Sequence, residues 1–191
     1  MRRFRDLSPA RGLTHEVGRW LAALDELRLG TLLLLHDLGP DHLASIPAPN
    51  MNSIGTLLTH IAESEAFWIV ERIGGRPLPA ERRELYRMDI FGRQHAPQAA
   101  RASGTFFVGI LSDLRIETEE VLAGINDKDL DGKRIWNDPR RPENQEVFTV
   151  RWILNHVLTH EAHHRGEIAM TRRMLGAGEP PVLSDRPGGE S

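Results

Sequence analysis

The segment His156-Val-Leu-Thr-His160-Glu161-Ala-His163-His164 carries four of the nine histidines of this chain of 191 residues. It lies within a longer stretch, from Val150 to Leu175, in which apolar residues recur every three or four positions. Such spacing is typical of an amphipathic helix, which Thr149 would cap and the glycine at 176 would end. The sequence therefore predicts a helix that carries a cluster of histidines.

Three further segments show helical periodicity, and no strand pattern competes with them. They run from about Thr14 to Leu38, from Ser53 to Ile73, and from just after Pro97 to about Ile125. Ser53 is a favourable N-cap residue, and glycine follows the first two segments directly. We therefore predict an all-α protein, a four-helix bundle with long connections.

The connections between these segments are long and polar. The stretch Arg76–Arg93 is charged and interrupted by proline, so we expect at most short helical pieces in it. The stretch Asn126–Phe148 is predicted to be a loop, with a short extended piece at Val147 and Phe148. We expect a single domain over residues 1–178 and a disordered tail over residues 179–191.

The composition disfavours several classes of partner. The chain has 24 Lys and Arg residues against 27 Asp and Glu residues, so no basic field is available to hold nucleic acid or an anionic membrane. Its longest apolar run, Leu32–Leu35, is far too short to span a bilayer, and we expect a cytoplasmic protein. There is no cysteine, so any thiol chemistry must use a thiol brought by a small molecule.

The histidines of the last helix separate into two pairs on a helical wheel. With His156 at zero, His160 and His164 fall at about 40° and 80°, towards the apolar stripe, whereas His163 falls at about −20°. The i, i+4 spacing of His160 and His164 directs both imidazoles to the same side, where they can reach one metal ion. We interpret His156 and His163 as groups that flank the ligands.

A third ligand must come from another helix, and the candidate is His60. It lies inside the apolar arc of the second predicted helix, where an unpartnered imidazole would be costly to bury. A lone buried histidine is more often a hydrogen-bonded core residue, but three on inner stripes favour a metal. Three neutral imidazoles with an open position are typical of a catalytic site that activates water or a thiol.

The same string also matches the His-Glu-x-x-His motif of zinc proteases, with Glu161 as general base. The motif fixes only three positions and arises often by chance. A zinc protease also needs a further ligand downstream, and no histidine follows His164. We therefore keep a metallohydrolase of this type only as a minor alternative.

Two segments resemble the DinB/YfiT-like family. They are Ser53-Ile-Gly-Thr-Leu-Leu-Thr-His60-Ile-Ala-Glu63-Ser-Glu-Ala-Phe-Trp68 and Asn155-His-Val-Leu-Thr-His160-Glu-Ala-His163-His164-Arg165-Gly166-Glu167-Ile168. The second is similar to the family signature His-x-x-His-His-Arg-Gly-Gln-Ile, and the order of elements matches from about residue 14 to 176. The chain departs from the pattern at Glu167, where the family usually has glutamine.

The resemblance implies a four-helix bundle in which His60, His160 and His164 bind one divalent metal ion, zinc or nickel. It also implies a transferase that uses a low-molecular-weight thiol and acts on a small molecule. An alternative is a non-catalytic helical module with a structural metal or none. Beyond the ligands, five residues are candidates for supporting the site: Glu65, His156, Glu161, His163 and Glu167.

Other residues have plainer interpretations. Glu63 is predicted to lie on the outer face of its helix in contact with solvent, and Trp68 and Trp152 are predicted to be core residues. Arg165 fits a helix-packing role better than a substrate contact. Leu154, with two neighbours on the same side of the last helix, forms a second apolar side that suggests a homodimer; those neighbours are Leu158 and Ala169.

Overall fold

Four long helices form the body of the molecule, which the computed structural model describes over residues 7–86, 102–138 and 143–181. In chain order the elements are α1 (His15–Leu33), α2 (Pro40–Ala44), α3 (Ile54–Glu65) with a π-helical continuation (Ala66–Ile73), α4 (Ala80–Tyr86), α5 (Gly104–Ala123), a 3-10 turn (Asp127–Asp131), β1 (Lys133–Asn137), β2 (Gln145–Thr149) and α6 (Val150–Met174). Helices α1 and α3 each pack against both α5 and α6. The predicted four-helix bundle is confirmed.

Hydroxyl caps fix the starts of three bundle helices. Ser53 accepts a hydrogen bond from the backbone N–H of Thr56 at 3.1 Å, and Thr149 accepts one from Trp152 at 3.1 Å. Ser103 caps α5 in the same way through the N–H of Phe106 at 3.2 Å. Each cap satisfies a backbone donor that the helix itself cannot pair. The caps predicted at Ser53 and Thr149 are confirmed.

The helix boundaries differ from the prediction at two ends. Helix α1 ends at Leu33 instead of Leu38, because the chain leaves the helix in a turn where Asp37 adopts a φ of 61°. The short helix α2 then begins with Pro40, which fits a first helical position. Helix α5 begins at Gly104; the predicted start after Pro97 falls partly on residues outside those described.

Two strands form within the predicted loop Asn126–Phe148. Strands β1 and β2 pair antiparallel, with Ile135 opposite Val147 and Arg134 opposite Phe148. Only the face that carries Trp136 and Phe148 packs on the bundle. Because apolar Ile135 points outward and polar Arg134 inward, the hydropathy of β1 does not alternate as expected for a half-buried strand. The extended piece predicted at Val147 and Phe148 is part of β2.

Two further expectations concern the connections and the tail. Helix α4 is the kind of short helical piece expected between Arg76 and Arg93, of which residues 87–93 lie outside the described part. The tail predicted to be disordered lies mostly outside it as well, since residues 182–191 are not described. Within the described ranges, no helix has both the length and the apolar composition that a membrane span requires.

The apolar interior consists of two clusters, one at each end of the bundle. One contains Leu57, Leu58, Ile61, Phe107 and Leu111, together with residues of α2 and the end of α6. The other contains Val17, Leu24, Ile69, Leu122 and Ile153, together with further residues of α1 and α6. Leu154 belongs to the second cluster and is fully buried within the chain, whereas Leu158 and Ala169 on the same side are only partly buried. The homodimer stays a prediction.

A layer of buried charges lies between the two clusters. It is formed by Arg28 of α1, Glu65 of α3, Arg115 of α5 and Glu161 of α6, all at least 93 % buried. Arg28 donates from Nε and Nη2 to the two carboxylate oxygens of Glu161 at 2.9 and 3.0 Å, and also binds Glu65. Arg115 lies 3.2 Å from Glu65. We call these four residues the ion layer.

Hydroxyl and carbonyl groups add hydrogen bonds to the ion layer. Thr31 donates to Glu161 at 2.8 Å, and Thr118 donates to Glu65 at 2.7 Å. Arg28 donates through Nη1 to the backbone carbonyl of Leu111 at 2.8 Å. Buried charges are tolerated only when they are paired and hydrogen-bonded in this way.

Replacement of Arg28 by methionine should destabilise the fold strongly. The substitution keeps an apolar stem of similar length but leaves the charges of Glu65 and Glu161 with only Arg115 to offset them. We expect the free energy of unfolding to fall by about 3 to 5 kcal/mol, measured by urea denaturation. The control is Arg19→Met on the exposed side of the same helix, which should change stability little. A loss for Arg28→Met no larger than that of the control would contradict a stabilising role of the pair.

Acid should weaken the ion layer in a defined pH range. Burial alone would raise the pKa of Glu65, but Arg28 and Arg115 outweigh it and lower the pKa to about 2 from its ordinary value of 4.5. The stabilisation is therefore complete above about pH 4.5 and is lost as the pH falls towards 2. Unfolding of the wild-type protein should take up about one proton at Glu65 in this window, and Glu65→Gln should abolish that uptake. The free energy of unfolding should then depend less steeply on pH in the variant. Unfolding curves at closely spaced pH values would measure it, and an identical slope in both proteins would contradict the assignment.

Candidate metal centre

Three imidazole rings meet between α3 and α6. The Nε2 atom of His160 lies 3.2 Å from Nε2 of His60 and 3.2 Å from Nε2 of His164. The three ligand atoms all lie within 4.8 Å of one another, and each residue is partly buried. The structure thus brings together the three histidines that the sequence indicates as ligands, from positions 100 residues apart in the chain.

The spacing of these nitrogens suits a metal ion better than mutual hydrogen bonding. Two imidazole nitrogens bound to one tetrahedral zinc ion at about 2.0 to 2.1 Å lie about 3.3 Å apart. A neutral imidazole has one N–H, so Nε2 of His160 can donate to only one of its two neighbours. The three converging lone pairs are better satisfied by a cation.

Carboxylates bind the far sides of two of the rings. Nδ1 of His164 lies 2.6 Å from Glu167, and Nδ1 of His60 lies 3.4 Å from Glu63. Each carboxylate accepts the Nδ1 proton, which directs the lone pair of Nε2 towards the other rings. Such outer hydrogen bonds commonly orient histidine ligands. The departure at Glu167 therefore places a charged acceptor on a candidate ligand.

The position of Glu63 differs from the expectation that it is solvated. Its side chain is only 13 % exposed and turns back over the helix to reach His60. The wheel predicts an outward position because it places the Cα atom and ignores the reach of a long side chain. The i, i+3 spacing to His60 is the signal that would have identified the contact.

The pKa values of two of the imidazoles, those of His160 and His164, lie below the usual range of a histidine. Burial, with the neighbouring rings of His164 and His60, lowers the pKa of His160 to about 3. Burial also lowers the pKa of His164, although Glu167 opposes the shift. A metal ligand must be unprotonated, so this environment prepares both rings to bind a cation.

Residues 23–168 match the DinB superfamily, a span that covers most of the chain. The protein belongs to the DinB superfamily. No sequence among the curated proteins matches the chain.

Three solved structures share the fold. A DinB-like protein from Bacillus cereus ATCC 10987 is 18 % identical with a TM-score of 0.63, and the match covers 86 % of this chain and 96 % of that one. A conserved protein from Enterococcus faecalis is 20 % identical with a TM-score of 0.62, with 82 % and 95 % covered. YfiT from Bacillus subtilis, described as a probable metal-dependent hydrolase with an unusual four-helix bundle topology, is 14 % identical with a TM-score of 0.58, with 93 % and 95 % covered.

Two flanking histidines of this DinB-superfamily protein lie beside the three rings without joining them. The ring of His156 stacks on Trp152, with centroids 4.9 Å apart and planes 7° apart, and lies 5.7 Å from the ring of His160. His163 is 69 % exposed and lies 3.6 Å from Glu167. His163, His164 and Glu167 form a second group that could hold a cation, but Nδ1 of His164 already bonds Glu167 there.

Two of the predicted supporting carboxylates belong to the ion layer instead. The described hydrogen bonds and ion pairs of Glu65 go to Arg28, Arg115 and Thr118, and Glu161 is held by Arg28. A zinc protease needs this glutamate beside the metal-bound water. Because Glu161 points into the bundle, the geometry does not support the protease interpretation.

Two other side chains differ in how well they fit the sequence interpretation. Trp152 is 42 % exposed rather than part of the core, whereas Trp68 is buried. Arg165 lies across α1, where a Cβ at Gly30 would come within 2.6 Å of its Nη1 atom. The helix-packing role predicted for Arg165 fits this contact.

Proposed function

We propose that this protein is a divalent-metal-dependent enzyme whose ion is bound by His60, His160 and His164. The convergence of the three Nε2 atoms, with Nδ1 of two rings bound by carboxylates, carries the proposal. Zinc and nickel both suit three imidazoles. Three protein ligands leave at least one position open, as in catalytic zinc sites.

A bound divalent ion would lower the pKa of a water or thiol held on it towards neutrality, which supplies a nucleophile at physiological pH. The chain's own residues contribute orientation. Glu167 and Glu63 hold the Nδ1 protons of His164 and His60, and thereby fix both ring planes. The negative charge of Glu167 also makes the His164 nitrogen a stronger donor than a glutamine would.

The preferred nucleophile is the thiol of a low-molecular-weight cofactor, which makes the protein a thiol-dependent S-transferase acting on a small molecule. The resemblance to thiol-using members of the family supports this choice. The chain has no cysteine, so the sulfur must come from the cofactor. Water is the second candidate, because YfiT is described as a probable metal-dependent hydrolase.

Metal content provides the first test. We expect wild-type protein to retain about one divalent ion per chain through gel filtration. The variants His60→Ala, His160→Ala and His164→Ala should each lose it, since each removes one of three protein ligands. Mass-spectrometric metal analysis would measure the content.

The matched controls are His156→Ala and His163→Ala on the same helix. Both remove an imidazole near the site without touching the three converging nitrogens, so both should keep the metal. If His156→Ala lost the metal and His164→Ala kept it, the ligand assignment would be wrong. Metal-free wild-type protein that cannot be reloaded would favour the non-catalytic module.

Binding of thiols would separate the two nucleophiles. Cobalt(II)-substituted protein should develop a sulfur-to-metal charge-transfer absorption when titrated with mycothiol, bacillithiol or glutathione, and serine should produce none. The His60→Ala variant should show no such absorption. If no thiol gives the band and the zinc protein hydrolyses simple esters or amides, water is the nucleophile and the transferase proposal fails.

A further inference from the structure

A continuous row of aromatic rings leads along α6 to the three imidazoles. Trp152, His156, His160 and His164 follow one another at i, i+4 spacing, which places them on one ridge of the helix. Successive ring centroids are 4.9, 5.7 and 4.4 Å apart. The ridge therefore joins an exposed tryptophan to the candidate metal site over about 12 Å of helix axis between Trp152 and His160.

Two rings stack on the Trp152 indole. Phe148 of β2 stacks on it at 4.5 Å, and His156 stacks on it at 4.9 Å in nearly parallel planes. The buried ring of Trp68 contacts the rings of Phe148, Trp152 and His156. Trp152 nevertheless stays 42 % exposed, so part of its indole is open to solvent.

A row of aromatic rings that is partly open to solvent favours one kind of occupant. Aromatic edges carry partial positive charge and aromatic faces partial negative charge, so a planar aromatic ring laid against the row can make edge-to-face or offset-stacked contacts. The two residues beside the ridge on its solvent side, Asn155 and Thr159, are uncharged.

We propose that the ridge formed by Trp152 and His156 binds a planar aromatic group of the substrate, while the reacting atom of that substrate lies at the three imidazoles. This inference rests on the proposed metal-dependent function and names its substrate class. His156 precedes His160 by one helical turn, about 6 Å, which one short substituent of a ring can bridge. Trp152 and His156 thus determine specificity, and the histidine triad of residues 60, 160 and 164 determines the reaction.

Hydroxamates test the subsite without turnover, because they combine one metal-binding group with a variable side group. The probes are acetohydroxamate, cyclohexanecarbohydroxamate and benzohydroxamate, titrated calorimetrically into the zinc-loaded full chain. We expect benzohydroxamate to bind about tenfold more tightly than the cyclohexane compound, which has similar bulk but no flat π face. Equal affinity of these two compounds for zinc-loaded wild-type protein would overturn the subsite without any variant.

Variants then locate the preference. Trp152→Leu should reduce it to about twofold or less, whereas Trp152→Phe should retain most of it, because an aromatic ring remains. The matched control is Phe106→Leu, an aromatic residue of α5 that is 36 % exposed and lies outside the ridge. It should leave the preference unchanged. A preference for the aromatic probe that survives Trp152→Leu would overturn the assignment to this ridge.

The two proposals fail in distinguishable ways. Zinc analysis precedes every titration, so protein that does not load metal overturns the proposed function and this inference together. Protein that loads zinc and binds acetohydroxamate, but gains nothing from the aromatic ring, overturns the subsite and leaves the metal function standing.

Discussion

The bidentate pair between Arg28 and Glu161 is the interaction on which the rest of the structure depends. With Glu65 and Arg115 it forms a layer to which each of the four bundle helices contributes one charge. Apolar side chains above and below tolerate small shifts, but a shift of one helical turn would move a charge into an apolar cluster with no partner. The cost of such an unpaired buried charge is several kcal/mol, so the layer fixes the axial register of the bundle.

The same layer sets the geometry of the candidate metal centre. Glu161 directly follows His160 on α6, and Glu65 lies five residues after His60 on α3. Once Arg28 binds both carboxylates, the two helices can meet in only one register, and the imidazoles are brought level with each other. Glu63 and Glu167 then adjust only the ring planes. The buried ion layer therefore sets the register of the two helices, and the carboxylates nearer the surface set the orientation of the imidazole rings.

The sequence predicts the helices and their caps because apolar spacing and hydroxyl caps are local properties. The convergence of His60, His160 and His164 is also predictable, since a wheel shows which residues share a face. The contacts that a residue makes with side chains of another helix cannot be predicted in this way. On a wheel, Glu65 and Glu161 look like groups near a metal, because nothing local reveals that Arg28 lies opposite them. Trp152 is predicted to be a core residue because hydropathy does not show that it lies at the edge of a hairpin. Strand β1 is not predicted because its inward-facing residue Arg134 is polar.

The separation between the ion layer and the aromatic ridge has an evolutionary consequence. Residues that hold the register are buried and mutually dependent, so a single change among them costs stability. Residues such as Trp152 and those on the outer face of the hairpin are exposed and lie outside the ion layer. They can change while the histidines stay in place. A scaffold of this kind can acquire new substrates without having to refold its metal centre.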